Sequence, residues 1–103
     1  MSEKLSEQYR LAAKSWVDLD SAARMSEECK SAFLSQRMLE LGDMPVSRAE
    51  MEVKGSEVWK GYLESMVQAR TEANLARVKL RWIEMRFQEA MSEQATQRSE
   101  MRL

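Results

Sequence analysis

The chain contains no histidine, which removes the commonest general base and the commonest zinc ligand together. It has one cysteine, Cys29, which cannot close an internal disulfide and so fits a reducing cytoplasm. Set among Ala22, Met25, Ala32 and Phe33, that thiol reads as a small buried apolar residue. No apolar run approaches the length of a bilayer span, and the segment Met1 to Arg10 is polar and charged, so neither a membrane helix nor a signal peptide is expected. A glycine-rich loop is missing. The carboxylate pairs Asp18 with Asp20 and Glu27 with Glu28 lie too close in sequence to face each other on a helix. No enzyme, metal site or cofactor is therefore expected, and the expectation is one soluble cytoplasmic domain spanning residues 1–103.

A strong charge of either sign is also lacking. Sixteen basic residues stand against seventeen acidic ones, a net charge of −1, so there is no global attraction to nucleic acid or membrane. The distribution is uneven, however. Within residues 70–86, Arg70, Arg77, Lys79, Arg81 and Arg86 face only Glu72 and Glu84, and an anionic partner is expected there.

Glycine and proline are scarce as well: three and one, with the proline and two of the glycines between residues 42 and 55. A chain rich in Ala, Leu, Met, Glu, Gln, Lys and Arg, punctuated only in its middle, reads as two helices and a connector. The first helix is expected from about residue 3 to 41. Its apolar positions Leu5, Tyr9, Ala12, Trp16, Leu19 and Ala23 step by fours and threes, and the stripe is expected to continue through Met25, Cys29, Ala32 or Phe33, and Leu39. Gly42 suits a helix C-cap, with Pro45 preventing continuation. The connector is expected over residues 42–56. Within it Ser47 and Glu50 have the spacing of a capping box, residues 48–54 suit either a helix or an extended stretch, and Gly55-Ser56 marks a kink or a second N-cap.

From about residue 57 to 102 the spacing predicts a single helix, roughly 70 Å long at 1.5 Å per residue. It carries an apolar heptad repeat with two seams. Steps of seven from Trp59 give Met66, Ala73, Leu80, Phe87, Gln94 and Met101; steps from Tyr62 give Ala69, Ala76, Ile83, Ala90 and Gln97. After Met91 the seams turn polar, as a solvated end would. Two long helices and a short connector predict an all-α fold, a long antiparallel helical hairpin of coiled-coil type. Val67, Leu75, Val78, Trp82 and Met85 lie off the seams, and a helix apolar on two sides is normally buried on two sides. Self-association is therefore expected, through Trp59, Tyr62, Met66, Val67, Leu75, Val78, Leu80, Ile83, Met85 and Phe87.

Three features invite a functional reading. The run from Arg77 to Phe87 interleaves cations with apolar residues, and Arg70, Asn74, Arg77 and Arg81 share one helix face. Guanidinium groups one turn apart suit the phosphates of a single strand, and an exposed Trp82 could stack on a base. The plainer alternative is a solvated face with Arg77 or Arg81 paired to Glu84 and Trp82 in an interface. The nine methionines could form an adaptable groove, but Met66, Met85, Met91 and Met101 are dispersed as seam filler would be. Trp59-Lys60-Gly61 matches the W-x-G of small secreted hairpin proteins, yet lies well after the turn signals, where those proteins carry the motif in the turn itself.

Two further likenesses carry the expectation of function. Asp20 to Gln36, Leu41-Gly42-Asp43-Met44-Pro45, Met66 to Glu89 and Ala95 to Leu103 resemble small uncharacterised proteins of proteobacterial phages and prophages. The stretch Trp59 to Phe87, a Trp-anchored helix followed by interleaved Arg, Lys, Ala and aromatic residues, is similar to recombination-mediator proteins of large tailed phages. That resemblance implies a small helical oligomer that binds single-stranded DNA while loading a recombinase. The expected function is thus a phage-type accessory of DNA recombination or replication in the host cytoplasm. Its partners would be single-stranded DNA and a recombination or replication protein, and Arg70, Arg77, Lys79, Arg81, Trp82 and Arg86 would make the nucleic-acid contacts. The alternative is an adaptor or inhibitor that binds a host or phage protein and no nucleic acid.

Overall fold

The structure, a computed structural model, describes residues 4–102. Among these residues four helices follow one another: α1 (Leu5–Glu28), α2 (Lys30–Glu40), α3 (Val46–Lys54) and α4 (Glu57–Arg102). The fold is all-α, an elongated helical hairpin of 84 × 23 × 17 Å. α1 runs antiparallel along α4, as three cross-links show. Tyr9 bonds to Glu84, Asp20 to Arg70 and Ser26 to Tyr62, so the partner's number falls as the first rises. At the far end α2 and α3 fold back on each other and form the tip.

The first arm is two helices rather than one. α1 ends at Glu28, Cys29 takes a turn conformation (φ −83°, ψ −1°), and α2 restarts at Lys30. The Tyr62 hydroxyl donates to the carbonyl of Ser26, the oxygen that a continuous helix would bond to the Lys30 N–H. A side-chain donor inserted at a ladder carbonyl is an established cause of helix breaks. The break turns the expected stripe. Leu5, Ala12, Trp16, Leu19 and Ala23 do face α4, and of the alternatives Ala32 and Phe33 it is Phe33 that turns inward; Met25, Cys29 and Leu39 are exposed, and Leu34 and Met38 take the inner side instead. Cys29 is thus not a buried apolar residue; it is exposed, and its thiol lies 3.6 Å from the Met25 sulfur.

The connector contains a helix. Residues 48–54 are helical within α3, so what remains are two short turns at residues 41–45 and 55–56. Gly42 ends the first arm with φ +83°, left-handed backbone that an L side chain adopts only at a cost, and its N–H bonds to the Leu39 carbonyl. The capping box does not form. The chain enters α3 two residues earlier, with Pro45 rather than Ser47 at the N-cap and Val46 the first helical residue, so the carbonyl of Pro45 takes the first bond, from the Ala49 N–H at 2.9 Å. Ser47 then lies inside the first turn, and Glu50 reaches forward to the Lys54 ammonium at 2.6 Å. Ser56 provides the cap that Ser47 does not, accepting the Trp59 N–H at 3.3 Å and donating to the Val53 carbonyl at 2.6 Å.

The core is one residue thick. Ala23 and Ala73 are completely buried, because alanines let the two long helices approach closely at mid-hairpin. Towards the open end Ala12, Leu80 and Ile83 pack together with Ala13 and Trp16. Towards the tip Phe33 stacks on Tyr62 (centroids 4.4 Å apart) and on Trp59 (6.2 Å), tying α2 to α4. Ser6, Tyr9, Glu84, Phe87 and Gln88 line one small pocket, which places the start of α1 level with residues 84–88. Beyond that level α4 continues alone, helical to Arg102 and exposed throughout from Met91.

Candidate nucleic-acid and partner interface

The cations of α4 divide according to whether α1 presents them with a carboxylate. Arg70 looks towards α1 and is fully engaged. Its Nε and Nη2 donate to the two oxygens of Glu27 at 2.9 and 2.8 Å, and its Nη1 donates to Asp20 at 2.7 Å. Asp20 also receives Arg24 at 3.0 Å. A bidentate guanidinium–carboxylate pair with a second carboxylate is strong, oriented recognition. Bonding to Glu27 and then Asp20 raises the Arg70 pKa, while bonding to Arg70 holds both carboxyls below their ordinary range. Arg70 is therefore a fastener of the hairpin, and the continuous Arg70–Arg81 face that the spacing suggested is interrupted at its first member.

Glu84 is engaged by α1. It accepts the Tyr9 hydroxyl at 3.1 Å, which raises the tyrosine's pKa, and it pairs with neither Arg77 nor Arg81. Arg77, Lys79, Arg81 and Arg86 consequently form no ion pair among the described residues. The Arg77 guanidinium lies over the Trp16 ring at 5.9 Å, and that of Arg86 lies over Trp82 at 4.9 Å. Lys79 and Trp82 line a groove of about 350 Å³ between α1 and α4, with Leu11, Ala12, Ser15 and Ile83 on its other walls. Leu11 and Ser15 were not legible as site residues, since only the pairing of the two arms brings them beside Trp82.

The residues expected at an oligomer interface separate into two sets. Trp59, Tyr62, Met66, Leu80 and Ile83 face the first arm and are buried or half-buried within the chain itself. Phe87 belongs to the same side but is exposed, near the start of α1. Val67, Leu75, Val78 and Met85 point outward with Trp82. Leu75 and Val78 are each 64% exposed, Met85 57% and Trp82 54%. The second apolar side of α4 is thus present and uncovered, with the four unpaired cations along its margins.

Among the described residues, no helix is long and apolar enough to cross a membrane, and no group of three or more His, Cys, Asp or Glu side chains is placed to hold a metal ion. Comparison with family models, curated proteins and solved structures finds no match for this chain.

Proposed function

We propose that the protein is a non-enzymatic helical accessory that contacts single-stranded nucleic acid through Arg77, Lys79, Arg81 and Arg86, of the kind that serves phage DNA recombination or replication. One observation carries this reading. Glu84 is engaged by Tyr9, and Arg77, Lys79, Arg81 and Arg86 form no ion pair among the described residues, beside an exposed tryptophan. Arg77 with Arg81 and Lys79 with Arg86 form two pairs on opposite margins of the apolar side, so a strand lying across α4 can bring phosphates to both pairs. Arg70 is left out of the contact set because Glu27 and Asp20 occupy its donors.

The test is fluorescence anisotropy of a labelled single-stranded oligonucleotide across a salt series. Four phosphate contacts predict a log–log slope of about −2.8, falling to about −1.4 in the double variant Arg77→Glu, Arg81→Glu. Unchanged affinity in that variant, with helicity retained, refutes the proposal. The competing reading, an adaptor for another protein, is favoured by the uncovered apolar side of α4. It predicts no oligonucleotide binding even at low salt.

A further inference from the structure

The outward face of α4 is a second heptad seam. Leu75, Val78, Trp82 and Met85 follow one another by three, four and three, the spacing of a and d positions, on the side opposite Ala73, Leu80 and Ile83. With Val67 a little over two turns earlier, the strip extends over roughly 27 Å of helix. It exposes on the order of 500 Å² of apolar side chain, near the upper limit for a chain that stays monomeric.

We propose that this seam is covered by a second copy of the same chain, α4 lying antiparallel against α4. Two copies paired there would cover about 1,000 Å², the size at which a specific interface begins. The seam complements itself in the antiparallel sense. Leu75 falls opposite Met85 of the second copy and Val78 opposite its Trp82, a small residue against a large one, and the two-fold axis repeats both pairs. Charge selects the direction. In the antiparallel arrangement Glu72, which among the described residues forms no ion pair and accepts from Gln68 at 3.4 Å, lies beside Arg86 of the second copy, and the pair occurs twice. A parallel arrangement would instead set Arg81 beside Arg86 of the other copy on both margins. Lys79 and Arg81 meet their own copies across the axis, as solvated rim charges that salt screens. This proposal rests on the seam alone and is independent of the nucleic-acid reading in its test, which contains no nucleic acid; in its outcome it competes with that reading for Trp82 and Arg86, which the paired seam covers and engages.

The experiment is sedimentation equilibrium of the full chain from micromolar to submillimolar concentration, with circular dichroism confirming that each variant stays helical. The wild-type mass should rise from 12.0 kDa towards twice that value. Val78→Glu, at an exposed position that leaves the hairpin's own core untouched, should weaken association roughly tenfold or more. Glu72→Arg and Arg86→Glu should each weaken it, and the two together should restore it. A chain that stays at 12.0 kDa throughout overturns the proposal, as does a dimer that Val78→Glu leaves intact. A dimer that Val78→Glu dissociates but the charge exchange fails to restore overturns the antiparallel arrangement.

Discussion

Two tryptophans of the same helix should respond very unequally to truncation. Trp59 is 6% exposed and shares the aromatic stack with Phe33 and Tyr62, the contact that holds α2 against α4, whereas Trp82 is 54% exposed. Trp59→Ala removes the largest buried side chain at the tip, and such truncations cost about 3–5 kcal/mol, of which stacking contributes about 0.5–1.5. A chain of this size has a total stability of roughly 5–15 kcal/mol, so the loss is a large share of it. With a urea slope of about 1.5 kcal/mol per molar, the unfolding midpoint should fall by about 2 M or more. Trp82→Ala in dilute protein should shift the midpoint by less than about 0.5 kcal/mol equivalent. The assay is urea titration followed by circular dichroism, because three tryptophans would confuse a fluorescence signal. A Trp59→Ala loss below about 1 kcal/mol would refute the argument that the aromatic stack ties the tip to the long helix. A Trp82→Ala effect that grows with protein concentration would report the second copy on the outer seam.

Two further outcomes follow from single positions. The carboxyls of Asp20 and Glu27 are held by Arg70 below their ordinary values of 3.8 and 4.5, so the stability they contribute is complete above about pH 4.5 and is lost as the pH falls through the lowered native values. Thermal midpoints measured against pH should therefore fall in acid, and Arg70→Gln should flatten that fall; parallel curves for the two proteins would contradict the fastener role. Gly42→Ala should destabilise by about 1–2 kcal/mol through its left-handed backbone alone, since nothing lies within 4 Å of the added carbon. Gly61→Ala, in open space within α4, should stabilise by about 0.5–1 kcal/mol, and urea titration distinguishes the two signs.

Much of the fold was legible because helical periodicity is a local property. The 46-residue α4, the inner seam from Trp59 to Ile83, the end of the first arm at Gly42 and the cap at Ser56 follow from residue types and their spacing. The break at Cys29 was not legible. It coincides with a hydroxyl, that of Tyr62, which lies 36 residues from Ser26 in sequence and reaches it only once the arms pair. The same pairing turned Cys29 outward and chose Phe33 over Ala32, the two alternatives the spacing left open, by setting it against Tyr62. Ser47 failed as a cap for a local reason instead, because Pro45, with its extended backbone, lets the helix begin at Val46.

The candidate site divides along the same line. Sequence alone determined that α4 has two apolar sides and a local excess of cations, because both are matters of composition and a 3.6-residue period. Only the tertiary structure decided which side the first arm covers and which cations stay unpaired. Arg70 and Arg77 lie seven residues apart and look alike in the sequence, yet one meets Glu27 and Asp20 across the hairpin and the other meets the face of Trp16. The difference is set by what the opposite helix presents at each level. That depends on the register between two strands of chain some 50 residues apart, which no local pattern records.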